Sequence, residues 1–429
     1  MLDRLDRRGC SGGDLVADLP RPALAVTGPV DAVREIIADV EARGDAAVRE
    51  HTERLDGPDL ADPRVAPEEL DAALGRISPL VREALEEARE AISDYHRSQL
   101  TPDIEWERGG VTVRELCRPV ERAGCYVPGG RAAYPSTVLM TGIPARVAGV
   151  ERVVLCVPPA ADGGVPDVTL AAARLADVDE VWRVGGAQAI AAMACGTETM
   201  TAVDVIVGPG NVYVATAKRE VSGRVGVPSA FAGPSEVVVV ADGSSPPAFA
   251  AIDLAVQAEH GPHGLAWLIC WDDAVADAVA AEIGRIVDAS PRRDDIEATF
   301  SEGGHVVLVD GPDEAVAVAN AIAPEHLELL VADPEALLPS VRHAGAVFCG
   351  PWSPASVGDY LAGPNHVLPT AGTARYASAL RVDDFIKRVH VVTLDRGGLG
   401  RVAPYVVALA EAEGLPAHAD SVRVRQRER

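Results

Sequence analysis

The chain has 429 residues, enough for two or more domains, and is 48% hydrophobic and 24% charged, the balance of a soluble globular protein. Its formal net charge of −25 excludes nucleic-acid binding through a general basic surface, because that binding rests on neutralising phosphates. The seven cysteines lack CxxC spacing, no apolar run is long enough to span a bilayer, and the charged start MLDRLDRRGC has no signal core. A cytoplasmic protein with reduced thiols, a small-molecule substrate and no membrane contact is expected.

In chain order, helices are predicted over 28–49, where Val33, Ile36, Ile37 and Val40 recur at helical spacing, and over 68–100. Segments 111–118 and 122–127 read as strands flanking a turn. From 134 to 236 helices and strands alternate regularly: helices 138–148, 168–176, 187–195 and 212–221, strands 152–157, 180–184, 202–207 and 236–240. This spacing predicts a parallel sheet covered on both faces, Rossmann-like in arrangement. Its turns Gly185-Gly186-Ala187-Gln188 and Gly208-Pro209-Gly210-Asn211 carry the small residues that ligand phosphates require. Neither is a full GxGxxG, since Tyr213 stands where the last glycine belongs, so they serve equally as glycines that permit tight turns.

A second α/β unit follows, with strands at 265–270, 305–309 and 346–348 and helices at 274–287, 313–322 and 334–341. The helix begun by Ser244-Ser245-Pro246 places Gln257 and His260 on its last turn, beside the apolar stripe, before Gly261-Pro262 stops it. The stretch after Pro351 is long and rich in Gly, Pro, Ser and Asn, which marks it as functional or a linker; Asp359, Asn365 and His366 are its polar candidates. A last helix over 403–413 ends at Gly414, and the charged tail beyond Pro416 and His418 is expected to fray.

Within this frame Ala323-Pro324-Glu325-His326 forms a small acid/base kit, a carboxylate beside an imidazole after a rigid proline. A surface or cap role would explain the same residues. Gln257, His260, Asp359 and His418 have the donor chemistry of a zinc site, but they are too dispersed for spacing to show convergence. His263 is a weaker candidate, because Gly261-Pro262 separates it from His260.

The segments CYVPGG, VGGAQAIAAMACGT, VGPGNVYVATAK, AGPSEV, QAEHGP, APEHLEL, SVGDYLAGPNHVLPTAGTARYAS and EAEGLPAH resemble, in order and along nearly the whole chain, those of the histidinol dehydrogenase family. The resemblance implies a zinc-dependent, NAD-linked enzyme that oxidises L-histidinol through L-histidinaldehyde to L-histidine, the end of histidine biosynthesis. It implies one Zn2+ per subunit on Gln257, His260, Asp359 and His418, and Glu325 and His326 as the catalytic pair. Ser235, His366 and Glu413 match substrate-pocket residues, alongside the four zinc positions and His326, and Tyr126, Gln188 and Asn211 fall where the family contacts NAD. It further implies a homodimer whose C-terminal tail enters the partner's active site.

The expected fold class is α/β, two Rossmann-like parallel-sheet domains plus small helical N- and C-terminal elements. The expected division is an N-terminal segment, 1–24, packing with the C-terminal region; a first domain of 25–130 and 236–381 with the zinc and catalytic residues; an NAD-side domain, 131–235; and a helical, dimer-crossing tail, 382–429. Ala379 and Asp383 depart from the family pattern and bear on local packing. Two rival readings remain, a related enzyme acting on another small polar alcohol and a metal-binding protein without turnover. Retention of Glu413 and His418 argues against the first, and retention of Glu325 and His326 against the second.

Overall fold

The run Val237-Val238-Val239-Val240 is apolar at every position rather than alternately, the pattern of a strand covered on both faces. The computed structural model, which describes residues 2–20, 29–129, 132–228, 235–259 and 264–427, places it at the centre of a parallel sheet. The strands are β1 Asp3–Asp6, β2 Ile104–Arg108, β3 Val111–Pro119, β4 Arg122–Tyr126, β5 Arg152–Val157, β6 Glu180–Arg183, β7 Val205–Val207, β8 Glu236–Ala241, β9 Leu265–Cys270, β10 Gly304–Leu308, β11 His326–Leu330, β12 Ala346–Cys349 and β13 Ile386–Leu394. Six of them form a parallel sheet in the order β1-β10-β9-β8-β11-β12, and four form another in the order β6-β5-β4-β7. A three-stranded antiparallel sheet, β13-β3-β2, carries the C-terminal arm.

Both parallel sheets are covered on two faces, as the fold class requires. In the larger one, Val237, Val239, Ala266 and Leu268 face the Pro247–Ala258 and Asp273–Ala289 helices. Val238, Val240, Trp267 and Leu329 face the opposite way, toward the Pro312–Ile322 helix. In the smaller one, Cys125, Leu155 and Val181 pack under the Pro135–Ala148 and Asp167–Leu175 helices, and Val154, Trp182 and Ile206 pack under Gly186–Cys195 and Val212–Val221.

Three placements differ from the sequence expectation. The segment expected to join 236–381 packs instead with the smaller sheet: β4 lies between β5 and β7, the Val30–Arg43 helix buries Val33, Ile36 and Val40 against Ile190 and Val214, and Ile92 packs with Met140. The N-terminal segment does not turn to the C-terminal region; β1 adds in parallel to β10, with Leu5 reaching the core and the aspartates left outside. The tail beyond Pro416 is a helix to Arg427, joined to the preceding Arg396–Ala412 helix by ion pairing of Arg423 with Glu411. Segments 111–119 and 122–126 are both strands, yet they belong to different sheets. Among the described residues no helix is long and apolar enough to cross a membrane, and the seven cysteines are unpaired.

Candidate active site

The Pro312–Ile322 helix closes on Ala323, whose φ of 55° is left-handed, and Pro324 forbids another helical turn. The chain then enters β11 with Glu325 just before the strand and His326 as its first residue, 7% and 6% exposed. His326 is level with Val237 of β8 and Ala346 of β12. The pair therefore stands at the amino edge of the sheet, beside the β8/β11 boundary where the strand order reverses. Ligands of open α/β sheets usually occupy the carboxyl edge, so this site departs from the rule in edge though not in lateral position.

The backbone of one residue, Glu236, holds both groups. Glu236 N–H donates to Glu325 Oε2 at 3.0 Å, and the Glu236 carbonyl lies 3.2 Å from His326 Nδ1, which donates to it. With Nδ1 protonated, Nε2 is the basic nitrogen. It has no hydrogen-bond partner, and Asp359 Oδ1 stands 3.8 Å away, near enough to act by charge but too far for a hydrogen bond. Burial disfavours the imidazolium, but Glu325 and Asp359 outweigh it and raise His326 to about 9.

Asp359 arrives on the Ala355–Tyr360 helix, which lies close over Phe348 because Gly358 has no Cβ to meet that ring; Phe348 in turn stacks on His326 with centroids 6.1 Å apart. His366 Nδ1 donates to the Asp359 carbonyl at 3.0 Å, while its Nε2 takes the Thr137 hydroxyl at 3.2 Å. Burial lowers the His366 pKa and keeps the ring neutral, consistent with an accepting Nε2. A cavity of about 470 Å³ opens over His326, Phe348, Asp359 and His366.

Sequence reasoning missed Glu236. Its Oε1 accepts from Ala371 N–H at 2.9 Å, its Oε2 is buried without a partner, and burial followed by the Glu325 charge raises its carboxyl to about 8. An acid raised in the folded state destabilises progressively as pH climbs from its unfolded value of 4.5 to its folded one, since only the unfolded chain ionises there. Glu236→Gln should therefore match the parent in Tm near pH 4.5 and exceed it increasingly up to about pH 8, with a constant difference beyond. Thermal unfolding across that range checks this; equal Tm values at both ends would mean that the carboxyl is ionised throughout.

The smaller sheet offers a second, larger cavity of about 930 Å³, bordered by Tyr126, Gly129, Pro158, Gly186, Asn211 and Tyr213. These residues follow the carboxyl ends of β4 to β7, and β4/β7 is the reversal point of that sheet. Tyr126 Oη accepts from Gly186 N–H at 3.1 Å, and Asn211 Oδ1 caps the next helix by accepting from Tyr213 and Val214 N–H at 3.0 and 3.1 Å. Gln188 is fully buried and donates to Asp56 Oδ2 at 3.0 Å. Gly208, at φ 102°, passes so close to the Tyr126 carbonyl that no side chain fits. The chain from β4 into the Pro135–Ala148 helix borders both cavities, lining one with Pro128 and Gly129 and reaching His366 of the other through Thr137.

The remaining candidates divide. Gln257 is buried on the last turn of its helix, and its Nε2 has no partner. Ser235 is half-buried ahead of β8, and its carbonyl accepts from Leu265 N–H at 3.1 Å. His260 and His263 lie outside the described residues. Glu413 and His418 are exposed on the C-terminal arm rather than gathered at His326. Among the described residues no three His, Cys, Asp or Glu side chains form a group able to hold a metal.

The family model for histidinol dehydrogenase matches residues 19–426. A histidinol dehydrogenase from Moorella thermoacetica is 48% identical over 406 residues, covering 94% of this chain and 96% of that protein, and one from Parasynechococcus marenigrum is 50% identical over 402 residues, covering 93% and 91%. The crystal structure of histidinol dehydrogenase from Elizabethkingia anophelis matches with a TM-score of 0.92 at 34% identity, covering 99% of this chain and 98% of that one. The chain belongs to the histidinol dehydrogenase family.

Proposed function

We propose that the protein is a zinc-dependent enzyme that oxidises L-histidinol to L-histidine through L-histidinaldehyde, with two NAD+ consumed, as the last steps of histidine biosynthesis. The observation that carries this reading is the buried Glu325–His326 pair, whose basic His326 Nε2 faces the same cavity as Asp359 and His366. Gln257, His260, Asp359 and His418 of the partner subunit would hold one Zn2+ per subunit, which would supply grip on the substrate's nitrogens and so help fix the alcohol carbon. The cavity bordered by Tyr126, with Asn211 at its rim and Gln188 bracing it through Asp56, would hold NAD+, which would supply the hydride acceptor for each oxidation.

The chain's own groups handle the protons. His326 Nε2, in the neutral ring whose share grows as pH rises toward its pKa of about 9, takes the hydroxyl proton of histidinol as the carbon loses hydride. Glu325 then removes a proton from the water that adds to the aldehyde carbonyl, and His326, having passed its first proton to solvent, takes the hydroxyl proton of the hydrate as the second hydride leaves, giving the carboxylate. Ser235, His366 and Glu413 contact the substrate, and closure around the aldehyde keeps it from side reactions. The larger sheet thus carries substrate chemistry and the smaller sheet the NAD side.

A homodimer completes the site. The C-terminal arm exposes Val392, Tyr405, Leu409 and Val424 at 60%, 72%, 66% and 53%, apolar area that a second copy would cover while receiving His418. The protein works in the cytoplasm. Purified, metal-loaded protein given L-histidinol and excess NAD+ should yield about two NADH per histidinol. Yield ending at one NADH with free aldehyde would remove the second oxidation, and none would return the chain to a binding role.

A further inference from the structure

We infer that Arg54 binds the diphosphate of NAD+ and that His51 positions it, an inference that rests on the cavity beside the smaller sheet being the NAD+ site. A diphosphate is an anion, and α/β folds usually meet it with glycine-rich turns whose backbone N–H groups open onto the ligand. Here those turns are partly closed to an anion. Gly186 N–H already donates to Tyr126 Oη at 3.1 Å, and Tyr213 and Val214 N–H donate to Asn211 Oδ1 at 3.0 and 3.1 Å. Beside Gly185 stands the carboxyl of Asp56: a Cβ on that glycine would lie 2.9 Å from Asp56 Oδ1. Asp56, Asp39 and Glu35 all border the cavity, so its rim needs a cation before it can accept phosphate. Among the described residues that line it, Arg54 is the one lysine or arginine.

Arg54 is exposed on the last turn of the Asp45–Asp56 helix, and among the described residues no carboxylate forms an ion pair with it. Its Nη2 donates to His51 Nδ1 at 2.8 Å. A guanidinium cannot accept, so His51 Nδ1 is the acceptor and the ring proton sits on Nε2, which donates to Asp39 Oδ2 at 2.9 Å. Asp39 Oδ1 accepts in turn from Arg43 Nε at 2.6 Å, four residues along its own helix. His51 is 8% exposed and Asp39 lies on the Val30–Arg43 helix, so this chain of hydrogen bonds ties Arg54 to two packed helices. One nitrogen of the guanidinium is spent on the tether. Its charge and its other N–H groups remain for the cavity, in the planar fork that matches phosphate oxygens.

The test titrates NADH into the metal-loaded protein at low and at moderate salt and follows the nucleotide's fluorescence, so that binding is read without turnover. Arg54→Met should weaken NADH binding by about 10- to 100-fold, the range of hydrogen bonds to charged groups, and should flatten its dependence on salt. Arg54→Lys keeps the charge but not the planar fork, and should fall between Arg54→Met and the parent. Position 54 is exposed, so neither change threatens folding. NADH binding in Arg54→Met equal to the parent's would overturn the inference. So would a loss that leaves the salt dependence unchanged, or Arg54→Lys as weak as Arg54→Met, since Arg54 would then prop the cavity rather than hold phosphate. Ala32→Trp separates the two layers of argument, because it brings an indole into the same cavity from an exposed helix position and should block NADH. Parent-like binding there, or a parent that binds no NADH, would remove the cavity assignment and Arg54 with it, whereas blockage beside an unaffected Arg54→Met would sink the Arg54 assignment alone.

Discussion

His326→Ala should lower kcat for histidinol oxidation by about 10²- to 10⁴-fold, the usual contribution of a positioned general base, while metal content and NAD affinity stay those of the parent. The loss follows from the tautomer: Nδ1 is committed to the Glu236 carbonyl, so Nε2 is the one ring nitrogen able to accept a proton in the cavity. Metal retention follows from how Asp359 is held. No hydrogen bond ties it to His326; its carbonyl accepts from His366, and its helix is anchored where Ala355 meets Glu328. Its carboxylate therefore keeps its place when the imidazole goes. A stopped-flow measurement of the first NADH formed isolates the step, and metal analysis of the same preparation checks the rest. A His326→Ala rate equal to the parent's would remove the residue from the mechanism, and a metal-free variant would make it a structural support of the ligands.

Most of this site was legible as residue types and very little of it as geometry. Glu325, His326, Asp359 and His366 stand out as polar groups after a proline or within a Gly/Pro-rich stretch; His326, Asp359 and His366 border one cavity, and Glu325 stands 3.7 Å from His326 Nδ1. The amino-edge location was not legible, because it depends on β11 lying beside β8 rather than on anything local to Glu325. Glu236 and Glu328 escaped notice for a related reason: each is a single acid inside an apolar run, and such a residue reads as a solvent-facing position until both faces of the element prove to be covered. The available signal was that an acid within a doubly covered strand must have a proton or a partner. At the chain ends, DRLD of β1 and the basic tail are too polar to show periodicity; edge pairing with β10 orders the one, and Arg423, paired with Glu411 of the neighbouring helix and with Asp420 of its own, orders the other. Asp383, where the family pattern was not met, pairs with Arg388 at 3.1 Å, so that departure is absorbed locally.

Glu325→Gln should separate the two oxidations. With histidinol supplied, its first NADH should form at a rate near the parent's; with histidinaldehyde supplied, the rate should fall by about 10²- to 10⁴-fold, because water addition has lost its base. The shape of the site should survive the change, since Glu325 Oε2 is an acceptor from Glu236 N–H and the glutamine oxygen can take that bond. What disappears is a charge beside His326 Nδ1, 3.7 Å away, so some slowing of the first step through weaker support of the imidazolium is expected, smaller than the aldehyde effect. Equal losses on both substrates would mean that Glu325 serves His326 rather than water. The same variant tests whether the site is shared between copies. A Glu325→Gln chain retains His418, and a His418→Ala chain retains Glu325, so each lacks what the other has. If the exposed arm lends His418 to its neighbour, chains refolded together form one complete site per mixed dimer, and aldehyde oxidation returns to about a quarter of the parent rate at equal mixing, since half the dimers are mixed and each has one intact site of two. No recovery at any ratio would confine each site to one chain.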